Sequence, residues 1–246
     1  MSQPPLAARV VEVIADRGAA THPRYRYGSG CLVAGRTVLT AAHVVTGAVS
    51  VAVRDPEKII YEATLDPKFV GDADGPRPDL ALVEISAAGI DVPPMGLAAV
   101  DRDSPTGDPV ERCHAVGYPA FMERAIPGGG QVRDTVDACG HVPVLSRLVG
   151  GLLSVQVSST PRRLPPGQVS LGETEWSGMS GGPLIADGRL LGVVTEYAPR
   201  EGPSAITVTP VTALEPDAAH PHWGAGVGDP AAWWSRLGVT GPDDEF

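Results

Sequence analysis

Three short strings carry side chains that could do chemistry together: TAAHV at 40–44, PDLALVE at 78–84 and SGMSGGPL at 177–184. Ser180 in the third string has Gly178 on one side and Gly181 and Gly182 on the other. Backbone amides can converge on a reacting group there, because glycine puts no side chain in the way. A serine hydroxyl is a poor nucleophile unless a neutral imidazole takes its proton, and the imidazole needs a carboxylate to set its tautomer and stabilise the imidazolium. His43 and Asp79 can fill those two roles. Taken singly, His43 could be an ordinary turn histidine, Asp79 could open a strand after Pro78, and Ser180 could be a plain loop residue. Together they supply every part needed for nucleophilic acyl transfer.

Such parts work only on a scaffold that brings distant residues together, and the composition points to a β-rich one. The 246 residues include 30 Gly and 25 Pro, a density of chain punctuation that suits short strands and many turns. Strand patterns recur at 8–15, 25–33, 37–40, 50–55, 59–66 and 80–85, and again at 113–118, 152–159, 183–187, 189–197 and 205–210. No helices alternate with them, so parallel βαβ units are excluded and two antiparallel barrels are expected. Residues 86–109, with four prolines and neither a strand nor a helix period, read as the connection between them. The expected layout is a barrel over 1–100 carrying His43 and Asp79, a barrel over 101–215 carrying Ser180, and a helix and tail over 216–246 that could link to further domains. In that last part Asp229 reads as an N-cap, Pro230 as the first helical residue, and Trp233, Trp234 and Leu237 as one apolar face. The final VTGPDDEF is polar and expected to fray.

Charge and cysteine usage narrow the function classes. A formal net charge of −10 leaves no basic surface for nucleic acid, and no run of apolar residues is long enough for a spanning helix. Cys31, Cys113 and Cys139 are an odd, irregularly spaced set, so reduced thiols are expected rather than a disulfide framework. Arg9, Glu12 and Asp16 break the first apolar stretch, which therefore lacks the core of a secretory signal, and a cytoplasmic location is expected. Cys113, His114, Cys139 and His141 are of types that could assemble a tetrahedral zinc site. Adjacent Cys113 and His114 on a strand point to opposite faces, so no metal and no cofactor is expected.

With TAAH, an aspartate before an apolar strand, and GMSGGP in that order, the chain resembles the trypsin-like (chymotrypsin-fold) serine peptidases. The resemblance covers about residues 8–215 and implies an all-β fold of two six-stranded-type antiparallel barrels packed perpendicular to each other, here with a C-terminal helix. It implies that Ser180 is the nucleophile, His43 the general base and Asp79 the orienting carboxylate, with the amides of Gly178 and Ser180 forming the oxyanion hole. It further implies that Thr195 supports the triad carboxylate, that Glu196 and Tyr197 edge the substrate cleft, and that Thr174, Glu175 and Trp176 line the primary specificity pocket. Digestive members carry an aspartate just before the nucleophile. Here that residue is Met179, so activation by insertion of a new N-terminus is not expected. Val44 follows His43 where secreted enzymes have a cysteine, which is similar to the HtrA-like and intracellular bacterial branches; the absence of Asn and the two lysines, Lys58 and Lys68, agree with a high-GC bacterial genome. The expected function is a serine endopeptidase acting on a peptide or protein substrate, regulated by a further domain or partner protein, with no nucleic acid or membrane partner. The alternatives are a catalytically silent protease-fold scaffolding module and an esterase using the same acyl chemistry.

Overall fold

The computed structural model describes residues 4–72, 75–88, 90–125, 131–159, 174, 176–198, 201–202, 204–215 and 227–246. Apolar, β-branched residues supply the first six strands. In β1 (Val10–Asp16) the side chains of Val11 and Val13 enter the core on either side of Glu12, and in β4 (Ser50–Arg54) Val51 and Val53 do the same on either side of the half-buried Ala52. With β2 (Tyr25–Ala34), β3 (Thr37–Thr40), β5 (Ile60–Val70) and β6 (Ala81–Ile85) they close an antiparallel barrel in the order β1-β2-β3-β6-β5-β4. Closure leaves no edge strand exposed.

Among the described residues of the segment that follows there is one short strand, β7 (Ala98–Ala99), in keeping with its proline content. β8 (Val110–Gly117) then opens a second closed barrel with β11 (Val136–Val142), β12 (Leu153–Val157), β13 (Pro183–Ala186), β14 (Arg189–Tyr197) and β15 (Ala205–Pro210). Its order is β11-β12-β15-β14-β13-β8, all neighbours antiparallel. A two-stranded hairpin, β9 (Glu123–Ala125) with β10 (Gln131–Arg133), lies between β8 and β11 in the chain.

The chain ends on the helix α2 (Pro230–Leu237), capped by Asp229, whose carboxylate accepts the Ala232 N–H at 3.1 Å. Trp233, Trp234 and Leu237 bury against the first barrel, with the Trp233 ring edge-on to Phe69 at 5.5 Å. The last residues do not fray. β16 (Asp244–Glu245) pairs in parallel with β7, and Phe246 packs against the core of the second barrel. The expectation fails because the tail is held by backbone hydrogen bonds and one terminal ring, neither of which a polar composition reveals.

Candidate active site

The histidine and the carboxylate meet inside the first barrel. After β3 the chain turns through Ala41 into the single helical turn α1 (Ala42–Val45), where Ala42, Val44 and Val45 are buried and His43 faces out. Asp79 sits immediately before Leu80, which is fully buried and anchors the start of β6. Asp79 Oδ1 accepts the His43 backbone N–H at 2.8 Å, and Oδ2 lies 2.7 Å from His43 Nδ1. A carboxylate at Nδ1 favours the tautomer with its proton there, leaving the Nε2 lone pair to accept one. The Arg26 guanidinium donates to the His43 carbonyl, fixing the helical turn from its other side.

The serine lies on two consecutive tight turns. Met179 N–H donates to Trp176 O at 2.9 Å with Gly178 third in that turn at φ +97°, and Gly182 N–H donates to Met179 O at 2.9 Å with Gly181 third in the next at φ +90°. A positive φ at the third position is the type II pattern, which only glycine adopts without strain. Space demands glycine as well. A Cβ on Gly181 would sit 1.9 Å from Ser29 O, and one on Gly178 would sit 2.4 Å from Tyr118 O. Ser180 is second in the second turn, half-buried. Among the described residues, the amides of Gly178 and Ser180 donate to no protein group, so both remain for an oxyanion. The turn is tied to β14 by Gly181 N–H to Val194 O at 2.7 Å and Val194 N–H to Gly182 O at 2.8 Å.

Ser29 on β2, which the sequence did not single out, locks this turn onto the first barrel. It is fully buried; its N–H donates to Ser180 O at 2.7 Å and its hydroxyl donates to Gly178 O at 2.6 Å. Ser29 Oγ also accepts Tyr118 N–H at 2.9 Å, and Thr40 Oγ1 donates to Ser29 O at 2.7 Å. The only signal in the sequence was the pair of flanking glycines, Gly28 and Gly30. A Cβ on Gly28 would meet Val44 at 2.7 Å and Ser180 O at 2.9 Å, so the serine turn rests beside the helix that carries His43. Among the described residues no hydrogen bond joins Ser180 to His43, a link that in free enzymes often tightens only when substrate binds.

The model of the trypsin-like peptidase domain matches residues 28–193, over half of the chain and including all three of these residues. The chain belongs to the trypsin-like peptidases. Its fold is similar to the crystal structure of the Rv3671c protease, inactive form, with a TM-score of 0.56 at 20% identity, covering 95% of this chain and 91% of that one. The active form of that protease, from M. tuberculosis, gives 0.51 at 19% identity, covering 96% and 84%. The serine endoprotease from Yersinia pestis gives 0.54 at 21% identity, covering 89% of this chain and 64% of that one. No curated protein matches the sequence. The enzyme is therefore a serine endopeptidase by family, with the two six-stranded barrels of that fold.

Beside His43 and Asp79 opens a cleft of about 350 Å³, lined also by Gly75, Leu152, Thr195, Glu196, Thr207, Thr209 and the ion pair of Arg77 with Asp72. Thr195 is the extra residue of a β-bulge in β14, since Val194 pairs with Val208 while Glu196 pairs with Thr207. It reaches the cleft, but its hydroxyl accepts from Thr209 Oγ1 at 3.3 Å and makes no bond to Asp79. The bulge turns the side chain toward β15 instead. Glu196 is exposed on the cleft rim. Tyr197 pairs with Ile206 through its backbone, and its side chain lies outside the described residues, as does Glu175. Thr174 is half-buried, and its N–H donates to Ser177 Oγ at 2.8 Å. Trp176 is 5% exposed and packs edge-on to Phe121 in the core of the second barrel, so it supports the turn and offers almost no surface to a ligand. Met179 is likewise buried in that core. All three cysteines are free thiols, Cys31 and Cys113 buried and Cys139 exposed, and burial pushes the Cys31 thiol up to about 12 and Cys113 to about 11.

Proposed function

We propose that the protein hydrolyses peptide bonds through an acyl-enzyme on Ser180. Ser180 Oγ attacks the scissile carbonyl carbon as its proton passes to His43 Nε2, and Asp79 stabilises the imidazolium through Nδ1. Charge developing on the carbonyl oxygen is received by the Gly178 and Ser180 amides. Collapse breaks the C–N bond, His43 returns the proton to the departing amine, and water then repeats the sequence in reverse roles to free the acid. The observation that carries this reading is the doubly bonded His43–Asp79 pair set against a turn whose Gly178 and Ser180 amides have no partner among the described residues. A fluorophosphonate probe tests it. It should label the protein once, at Ser180, and fail on Ser180→Ala and His43→Ala; labelling elsewhere, or equal labelling of His43→Ala, would remove the assignment.

The finer reading is an HtrA-like, intracellular bacterial enzyme serving as an effector module under the control of a further domain or partner. Its support is the set of free thiols and the apolar Met179 where digestive relatives keep an activation carboxylate. We also assign a preference for Arg or Lys on the acyl side of the scissile bond. Glu196 on the rim has no ion-pair partner among the described residues, and a basic side chain would complete it by a charge-assisted hydrogen bond. Matched peptides decide this: an Arg peptide cleaved no faster than its Leu counterpart, or a preference unchanged in Glu196→Gln, ends it.

A further inference from the structure

Away from the cleft, on the outer face of the second barrel, three side chains that commonly ligate metals converge. They are His114 on β8 and Asp137 and Cys139 on β11. Register explains the meeting. His114 and Cys139 are direct cross-strand partners, and Asp137 stands two residues before Cys139, so strand alternation places it on the same face. The alternation that disqualifies Cys113 as a partner of His114 also sends Cys113 into the core, where it is fully buried. The third ligand is therefore an aspartate that the spacing of cysteines and histidines did not suggest.

The separations suit one ion. His114 Nδ1 lies 2.9 and 3.1 Å from the two Asp137 oxygens and 3.5 Å from Cys139 Sγ, and the three ligand atoms all fall within 4.8 Å of one another. Zinc bonds of about 2.0 Å to nitrogen and oxygen and about 2.3 Å to sulfur, at tetrahedral angles, put N and O about 3.3 Å apart and N and S about 3.5 Å apart. The side chains need only sub-ångström adjustments, and they lie on exposed surface where such adjustments are free of core packing. The donor set selects the ion class. One imidazole, one carboxylate and one thiolate suit zinc, whereas calcium and magnesium take oxygen ligands.

We propose that His114, Asp137 and Cys139 bind one zinc-class divalent cation, with a solvent molecule as fourth ligand. On binding, the His114 ring proton moves to Nε2 so that the Nδ1 lone pair faces the ion. Cys139 Sγ releases its proton to solvent, and the charges of thiolate and carboxylate balance the cation. The ion joins neighbouring strands of the second barrel and takes no part in the hydrolysis at Ser180, so the site stands or falls separately from the proposed peptidase mechanism.

The experiment uses the full chain as Ser180→Ala, to exclude self-cleavage, stripped with chelator and titrated with Co²⁺. The expected result is a near-ultraviolet thiolate-to-cobalt charge-transfer band that saturates at one equivalent and is displaced by Zn²⁺. Cys139→Ser should abolish the band. His114→Gln and Asp137→Asn should each weaken affinity at least about tenfold, in line with the cost of disturbing even the groups that orient metal ligands. His141→Gln, on the same strand but outside the cluster, should leave it unchanged. Far-ultraviolet circular dichroism checks that each variant is folded. No charge-transfer band at millimolar cobalt, a band that survives in folded Cys139→Ser, or an affinity unchanged in His114→Gln overturns the proposal.

Discussion

The two barrels share one strand order. Counting each barrel's own strands from one to six, both close as 1-2-3-6-5-4, yet they hold their catalytic groups by different means. His43 follows the third strand of the first barrel, Asp79 precedes its sixth, and every bond between them is made within that barrel. Ser180 precedes the fourth strand of the second barrel, and its turn is held as much by Ser29 of the first barrel, itself braced by Thr40, as by Val194 of its own. The acid–base pair is thus a property of one barrel, and the nucleophile with its oxyanion amides is a property of the contact between two. A disturbance of that contact should spare the first and damage the second.

The largest effect expected comes from removing chemistry outright. Ser180→Ala should lower kcat by about 10⁶ with the fold intact, and His43→Ala should do about as much, while the double variant loses no more because the residues act as one unit. Steady-state peptide hydrolysis checks this, and losses that multiply would show two independent contributions. Next comes a change confined to the first barrel: Asp79→Asn should cost about 10⁴ in kcat by favouring the wrong histidine tautomer. Ser29→Ala separates the barrels. It should lower kcat about 10- to 100-fold, less than deleting an oxyanion donor, with KM little changed. The downfield proton signal of His43 Nδ1–H should persist in that variant. It should also cost about 1–3 kcal/mol of stability in urea unfolding, since the buried Tyr118 N–H loses its acceptor. Unchanged kcat would show that the serine clamp does not position the turn.

The smallest effect concerns the buried charge under the barrel contact. Glu12 on β1 is 1% exposed and paired with Arg54 at 2.7 Å; burial holds its carboxyl above the usual range, opposed by Arg54 and Arg133. An acid raised in the folded state binds more protons than its unfolded counterpart between the two pKa values. Stability from this group is therefore greatest below the unfolded value and falls as pH rises through the folded one. Unfolding free energies measured from pH 4 to 7 should show that decline in the wild type and a shallower one in Glu12→Gln. Parallel profiles would place the titration elsewhere.

Strong alternation made most of the scaffold legible. β3, β14 and β15 fall where TVLT, RLLGVVTEY and AITVTP predict, and the capped helix does too. β11 escapes the sequence reading because Ala138 and Gly140, two of its three buried positions, are too small to mark an apolar face, while Asp137, Cys139 and His141 alternate with them. It is a strand because β8 and β12 pair with it. The three residues proposed as the triad stand out in the sequence because each has a constrained neighbourhood: a buried helical turn, a strand start and a glycine turn. Ser29 does not, since its flanking glycines, Gly28 and Gly30, signal a close approach of backbone without saying what the serine between them bonds. The role of Thr195 comes from the resemblance alone, and the bulge that redirects it leaves no mark in the residue pattern.

The docking of α2 has a consequence for the order in which the enzyme is made. Phe69 of β5 is packed edge-on by Trp233, Arg236 lies over the same ring, and Arg236 also pairs with Glu84 of β6 at 2.7 Å. The barrel that emerges first from the ribosome thus waits for residues at least 152 positions further along to finish its outer wall, and contacts of such long sequence separation form late. By then Ser180 and its turn have also been synthesised. Vectorial synthesis alone delays the mature first barrel, and with it the contact surface on which Ser29 acts, until both barrels and α2 have been made.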